Sequence, residues 1–160
     1  MTTTTAATSA AAQGAAAVLR PAVGDTLPEL EIQASVRNIV ATAIATRDYQ
    51  DVHHDIESAQ RRGSTTIFTN ILTSNGYCLR LVTDWTGPAA VVKHASIRLG
   101  VPNYAGDTLT LTGEVSAVQD SPDGQLVTVG VLGRNSLGSH VTGTVTVLLP
   151  AGVPPAGSGA

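Results

Sequence analysis

The spacing of apolar residues changes along the chain from a helical pattern to a strand-like one. Over residues 68–82, apolar positions recur at intervals of three and four, which predicts a helix. Residues 83–88, which include Gly87 and Pro88, end that pattern. Four later segments rich in Val, Thr and Leu predict strands: residues 90–101, 108–118, 126–134 and 140–149. The turns between them contain Gly together with Pro, Asn, Asp or Ser: residues 102–107, 120–124 and 135–139.

The chain before the predicted helix divides into an apolar segment and a polar one. Residues 36–45 predict a first strand, and residues 46–64 predict a loop with a short helix at 55–61. The predicted order is one strand, a polar loop, a long helix and four antiparallel strands. One helix cannot cover about five strands unless the sheet curls around it. We therefore predict a single α+β hot-dog fold, with an orthodox α+β sandwich as the alternative.

The two ends of the chain have low-complexity sequences. Residues 1–26 are rich in Ala and Thr, and residues 150–160 contain only Pro, Gly, Ala, Val and Ser. Such compositions predict flexible tails around one folded unit at residues 27–149. A single curled sheet leaves an unpaired edge, and a second hot-dog subunit commonly closes such an edge, so a dimer is expected.

Composition excludes several classes of function. The formal net charge is −3, and the basic residues form no stripe, so nucleic acid is not an expected partner. The sequence contains no stretch of 18 apolar residues, so no membrane span is predicted. Cys78 is the one cysteine, so no disulfide can form within the chain, and a reducing cytoplasm is the expected location. Four basic residues are candidates for contacts with carrier phosphates, with ordinary surface charge as the alternative: Arg61, Arg62, Lys93 and Arg98.

The polar segment contains the residues best suited to chemistry. Asp48 and His53 lie five residues apart, directly after the predicted first strand. A loop at this place can turn the carboxylate and the imidazole into one pocket. There they could hold a water molecule between an acid and a base, as a hydration reaction requires. On spacing alone, a solvated loop is the commoner outcome for an Asp/His pair.

Two other chemistries are weaker candidates. His53, His54 and Asp55 are typical metal ligands, but adjacent histidines point in different directions, and no further His or Cys cluster supports a site. Ser74 and Cys78 are possible nucleophiles, but neither lies in a nucleophile-elbow motif. A cysteine within a helix is usually a small buried hydrophobic residue.

The segment from Asp48 onward resembles the motif of MaoC-like hydratases, which are hot-dog proteins. That motif reads Asp-x-Asn-Pro-x-His-x-Asp, with an Ala four residues later. Gln50 and Asp51 stand in place of the Asn and Pro. Four residues match in register: Asp48, His53, Asp55 and Ala59. Residues 106–109 resemble the Gly-Asp-Thr-Leu turn of the family, and residues 135–147 resemble its last hairpin.

A narrower resemblance concerns the small subunits of heteromeric actinobacterial steroid side-chain enoyl-CoA hydratases. Residues 45–55, 70–73, 82–85 and 98–102 are similar to these subunits. The resemblance implies a second hot-dog subunit carrying a DUF35 domain, in a heterodimer or heterotetramer. It also implies a steroid (cholesterol) side-chain CoA thioester as substrate. No metal or redox cofactor is implied, because CoA is part of the substrate.

The family resemblance also assigns roles to residues. Asp48 and His53 are the implied catalytic acid/base pair, with His53 favoured as the base. Thr69 and Asn70 stand where many relatives have a His-Gly pair at the start of the central helix, and in those relatives a backbone N–H at this point binds the thioester oxygen. A backbone donor does not depend on the side chain, so the resemblance implies that this role persists at Asn70. A thioesterase is one alternative, but it would need a carboxylate on the predicted helix, and residues 68–82 contain none. A non-catalytic scaffold subunit is the other, and the intact Asp/His pair argues against it.

Overall fold

The computed structural model of the protein describes residues 20–151. The three α-helices of this part are α1 (Val36–Ala45), α2 (Ile56–Arg61) and α3 (Ile71–Thr86), and a 3-10 turn spans Asp51–His53. The strands are β1 (Leu30–Gln33), β2 (Val91–Leu99), β3 (Thr108–Ser121), β4 (Gly124–Asn135) and β5 (Gly138–Pro150). No helix within residues 20–151 has the length and apolar character needed to span a membrane.

The five strands form one antiparallel sheet in the order β1-β3-β4-β5-β2. α3 packs against four of them, β2 to β5, so one helix covers most of the sheet. Cys78, Leu81 and Val82 of α3 are buried against alternate side chains of β3, β4 and β5. The arrangement is the predicted α+β hot-dog fold, and its core lies between α3 and the sheet.

A glycine in β3 allows the central helix to lie close to the sheet. Gly113 occupies an inward position between the buried Leu111 and Val115. A Cβ atom there would lie 3.3 Å from the side chain of Leu81 and 3.2 Å from that of Leu27. The missing side chain leaves the space that these two leucines fill.

The predicted first strand at residues 36–45 is wrong, because this segment forms α1. Ser35 caps the helix, since its Oγ accepts the N–H of Asn38 at 3.1 Å. Ile39 and Ala43, four residues apart, are its buried positions, as expected for a helix with one face on the core. The first strand is instead β1, which pairs with β3 from Leu30–Leu111 to Gln33–Thr108.

The central helix is shifted relative to the prediction of residues 68–82. It begins after Asn70, whose side chain caps it, and continues to Thr86. Gly87, with a φ of 84°, ends the helix, because this left-handed conformation suits glycine. Residues 83–86, predicted to break the helix, form its last turn.

The four predicted strands after the helix are confirmed, and three of them are longer than predicted. Tight turns join β3 to β4 at residues 122–123 and β4 to β5 at residues 136–137. At the other end, the backbone N–H of Gly24 donates to Val115 O at 2.9 Å, and that of Leu27 donates to Gly113 O at 2.9 Å. The folded unit thus begins before residue 27, and most of the two predicted tails lies outside the described residues.

Candidate active site

Asp48 is positioned by the end of α1. Thr46 caps the helix, and Arg47 then adopts a left-handed φ of 56°, which reverses the chain. The N–H of Asp48 returns to the helix and donates to Ala43 O at 3.0 Å. The Asp48 side chain is 18% exposed, so its carboxylate reaches solvent while its backbone is fixed.

His53 is positioned by the 3-10 turn that follows. Its N–H donates to Gln50 O at 3.0 Å, and its side chain is 6% exposed. The ring Nδ1 lies 2.7 Å from Phe68 O. A carbonyl oxygen can only accept, so Nδ1 carries the proton, and in the neutral ring Nε2 has the free lone pair. The Phe68 ring meets the imidazole edge-on, with centroids 5.1 Å apart.

The structure brings the side chains of Asp48 and His53 together. Asp48 Oδ2 and His53 Nε2 are 3.4 Å apart. A single water can therefore lie at about 3 Å from each of these atoms, at the ordinary hydrogen-bond distance. The arrangement provides a proton acceptor with a fixed tautomer beside a carboxylate, and such a pair can move protons to and from one water molecule.

The start of α3 forms the adjoining side of the site. Asn70, which is 3% exposed, makes no hydrogen bond through its backbone N–H within residues 20–151. Thr69, the other residue implied at this place, donates its N–H to Asn103 O at 3.0 Å. Its Oγ1 also accepts from Asn103 Nδ2 at 3.0 Å. Thr69 is thus already engaged, and Asn70 is the residue with a backbone donor available to a ligand.

Ser74, in the first turn of α3, and His140, in β5, form a second buried pair. Ser74 Oγ is 2.9 Å from His140 Nε2, and His140 Nδ1 is 2.7 Å from Val101 O. Both side chains are buried, and burial lowers the pKa of His140, partly offset by the bond to Val101 O. Sequence analysis missed His140, because an isolated histidine at the start of a predicted strand gives no signal.

The proposed nucleophiles are inaccessible. Cys78 and Ser74 are fully buried in the core. Burial raises the pKa of the Cys78 thiol to about 11, so the thiol is protonated at neutral pH and is a poor nucleophile.

The residues after His53 point elsewhere. His54 is exposed, and Asp55 caps α2 by accepting the N–H of Ser58 at 2.9 Å. Within residues 20–151, His, Cys, Asp and Glu form no group of three that could hold a metal ion. Of the four basic candidates for phosphate contact, Arg61 pairs with Glu57 and Arg62 pairs with Asp51.

Comparison with known proteins places the chain in a family. No protein-family model matches it. The beta subunit of the 3-oxo-4,17-pregnadiene-20-carboxyl-CoA hydratase from Mycobacterium tuberculosis is 56% identical over 123 residues. The match covers 77% of this chain and 92% of that protein. The chain belongs to the family of this hydratase beta subunit.

Solved structures agree with the family and the fold. A chain of the ChsH1-ChsH2 complex from Mycobacterium tuberculosis is 53% identical, with a TM-score of 0.77, covering 81% of this chain and 99% of that one. The MaoC-like dehydratase from Rhodospirillum rubrum is 22% identical, with a TM-score of 0.68, covering 83% and 96% respectively. The second likeness supports the hot-dog fold alone.

The buried His140 makes the stability of this hydratase subunit pH-dependent. Its folded pKa lies below the ordinary value of about 6.5, so below that pH the unfolded chain binds more protons than the folded one. The free energy of unfolding should therefore fall as the pH drops below about 6.5 and level off below the folded pKa.

Urea unfolding at pH 7.5 and 5.5 measures this loss of unfolding free energy, which should be smaller for His140→Gln. His94→Gln, on the exposed part of β2, should behave as wild type. Equal losses for wild type and His140→Gln would contradict the assignment.

His54 and Asp55 should be dispensable for hydratase chemistry. Asp55→Ala should lower the free energy of unfolding by about 1 kcal/mol, because the α2 cap is lost. Asp55→Asn retains a cap and should remain close to wild type. His54→Ala should fold and keep the activity of the wild-type protein, since the side chain is exposed. A folded but inactive His54→Ala protein would show that the site extends further than Asp48 and His53.

Proposed function

We propose that this chain is the catalytic subunit of an enoyl-CoA hydratase, which adds water across the double bond of a 2-enoyl-CoA. The observation that carries the proposal is the contact between Asp48 and His53, 3.4 Å apart, beside the unused N–H of Asn70. An acid/base pair and an oxyanion donor are the two elements that this reaction needs. The family relationship supports hydratase chemistry independently.

In the proposed reaction, Asp48 and His53 share one transferable proton and act as a coupled pair. His53 Nε2 takes a proton from the water, and the hydroxide oxygen adds to the β-carbon. The electron pair of the double bond moves toward the thioester, and the α-carbon takes a proton from Asp48. Transfer of a proton from His53 to Asp48 restores the pair. No redox cofactor is needed, because the addition of water involves no net oxidation or reduction. No metal is needed either, because Asp48 and His53 carry the proton transfers, and CoA enters as part of the substrate.

The start of α3 would stabilise the negative charge that develops on the thioester oxygen. The Asn70 N–H is available to donate to that oxygen. α3 has 16 residues, and the positive end of its dipole lies at the same place. A fixed donor and a helix dipole aimed at a developing oxyanion lower the barrier, because they need no reorganisation during the reaction.

We further propose a steroid side-chain CoA thioester as the substrate and a second hot-dog subunit with a DUF35 domain as the partner. The 56% identity to a subunit of the Mycobacterium tuberculosis 3-oxo-4,17-pregnadiene-20-carboxyl-CoA hydratase supports the substrate, and the likeness to the ChsH1-ChsH2 complex supports a second subunit as the partner. β2 is an edge strand, and its Val91 and Val92 are 46% and 39% exposed. An unpaired apolar edge of this kind favours closure by another chain. The buried Cys78 thiol is consistent with action in a reducing cytoplasm.

The thioesterase alternative lacks the carboxylate it needs. The one acidic residue of α3 is Asp84, which pairs with Arg80 at 3.1 Å on the exposed surface. Asp84 also lies roughly 20 Å along the helix from its first residue, at 1.5 Å per residue. The scaffold alternative is disfavoured by the assembled Asp48–His53 pair, which a purely structural subunit would not need.

Replacement of either member of the pair should abolish most of the activity. Asp48→Ala and His53→Ala should each lower turnover by about 100-fold or more, because either change removes proton transfer to and from the water. The turnover of the double variant should be no lower than that of the less active single variant. The measurement is the loss of enoyl-thioester absorbance with crotonyl-CoA or a steroid enoyl-CoA, with a thiol reagent present to detect free CoA.

Tyr49→Ala is the matched control, because Tyr49 lies between the two residues in sequence and is 66% exposed. It should be as active as wild type. Release of free thiol by the wild-type protein would indicate a thioesterase, and near-normal turnover in both single variants would remove the assignment of the pair.

Activity on a steroid enoyl-CoA should require the partner subunit. The chain expressed alone and the chain co-expressed with the second hot-dog subunit from the same genome should be compared. The complex should contain equal amounts of both subunits, as measured by light scattering, and only the complex should hydrate the steroid substrate. A fully active homodimer on that substrate would refute the heteromer and leave the general hydratase proposal intact.

A further inference from the structure

Asn70 uses both ends of its side-chain amide. Its Oδ1 accepts the N–H of Thr73 at 2.8 Å, which caps α3. Its Nδ2 donates to Asp48 Oδ2 at 3.1 Å and to Thr46 Oγ1 at 2.9 Å. Since a backbone N–H can only donate, the contact with Thr73 fixes which end of the amide is the oxygen. The NH₂ group must therefore face Asp48.

The oxygen of Asp48 that Asn70 contacts is the same one that faces His53. Asp48 Oδ2 lies 3.4 Å from His53 Nε2, while Oδ1 accepts the N–H of Gln50 at 3.4 Å. This second bond is long for an N–H···O contact, so it restrains the carboxylate weakly. Asn70 is the strongest side-chain restraint on the orientation of Asp48 within residues 20–151.

Other capping residues could not perform both tasks. Ser or Asp at position 70 would cap α3 about equally well, and Thr somewhat less well, because each supplies an acceptor oxygen. None of them would give the carboxylate of Asp48 an amide donor at the same time. An asparagine is thus the residue that joins the helix cap to the carboxylate, and through Thr46 to the end of α1.

We propose that the Asn70 side chain is a positioning residue, which holds Asp48 Oδ2 against His53 and so sets the geometry of the pair. The inference rests on the proposed hydratase function, and it goes beyond the role of the Asn70 backbone N–H as an oxyanion donor. The side chain acts through Asp48, to which it donates, and transfers no proton itself. Loss of its Nδ2 donor should reduce turnover even where the helix cap and the backbone N–H remain.

Two variants of the full chain in its complex separate this role from helix capping. Asn70→Ser retains a cap but removes the donor, so kcat should fall on the order of 10-fold to 100-fold, with little change in KM or Tm. Asn70→Asp retains the cap but places a carboxylate beside Asp48. The extra negative charge makes proton loss from the whole pair harder, so the pH–rate profile should move to higher pH.

Ser35→Ala is the control for a purely structural effect, because Ser35 caps α1 and makes no contact with the pair. It should lower Tm while leaving kcat and the pH–rate profile unchanged. Wild-type kcat in Asn70→Ser, together with an unmoved profile in Asn70→Asp, would overturn the positioning role.

Crystal structures of wild type and Asn70→Ser provide a test that does not need activity. A rotated or multiply oriented Asp48 carboxylate in the variant is expected. An unchanged carboxylate, still facing His53 Nε2, would overturn the inference. If the wild-type complex fails to hydrate any enoyl-CoA, the proposed function fails, and this structural comparison still decides whether Asn70 orients Asp48.

Discussion

The candidate site depends on the fixed start of α3. This helix is held by the curled sheet along its length, with Cys78, Leu81 and Val82 in the common core. Because the helix cannot slide, its first turn is a rigid reference point. Phe68, Thr69 and Asn70 lie immediately before it, and each makes a specific backbone or side-chain hydrogen bond. The site is therefore built where the loop after α1 meets a point that the core has already fixed.

The loop supplies the proposed acid/base pair, and the start of the helix supplies the groups that orient it. The loop between α1 and α2 carries Asp48 directly after the left-handed Arg47, and it carries His53 at the end of the 3-10 turn. Phe68 O fixes the ring of His53, and Asn70 Nδ2 contacts the carboxylate of Asp48. Each loop residue is thus oriented by a group that the loop does not contain.

The sequence predicted the hot-dog fold and the four later strands, because their apolar alternation is clear and their turns are marked by Gly, Pro, Asn and Asp. It failed at residues 36–45, where an apolar segment suggested a strand, while Ser35 caps a helix that buries Ile39 and Ala43 on one face. The motif placed Asp48 and His53 in one site. The resemblance favoured Asn70 as the oxyanion donor but left the exact donor open, because the difference between Thr69 and Asn70 depends on Asn103, which is distant in sequence.

The contacts from Phe68 and Asn70 that orient the proposed acid/base pair differ in how they respond to substitution. Phe68 holds the His53 ring with a main-chain carbonyl, which every amino acid provides, so a substitution at position 68 leaves the acceptor in place. Asn70 contacts Asp48 with a side chain, which a single codon change can remove. The tautomer of His53 therefore tolerates substitution of the residue that fixes it, whereas the orientation of the Asp48 carboxylate depends on the identity of residue 70.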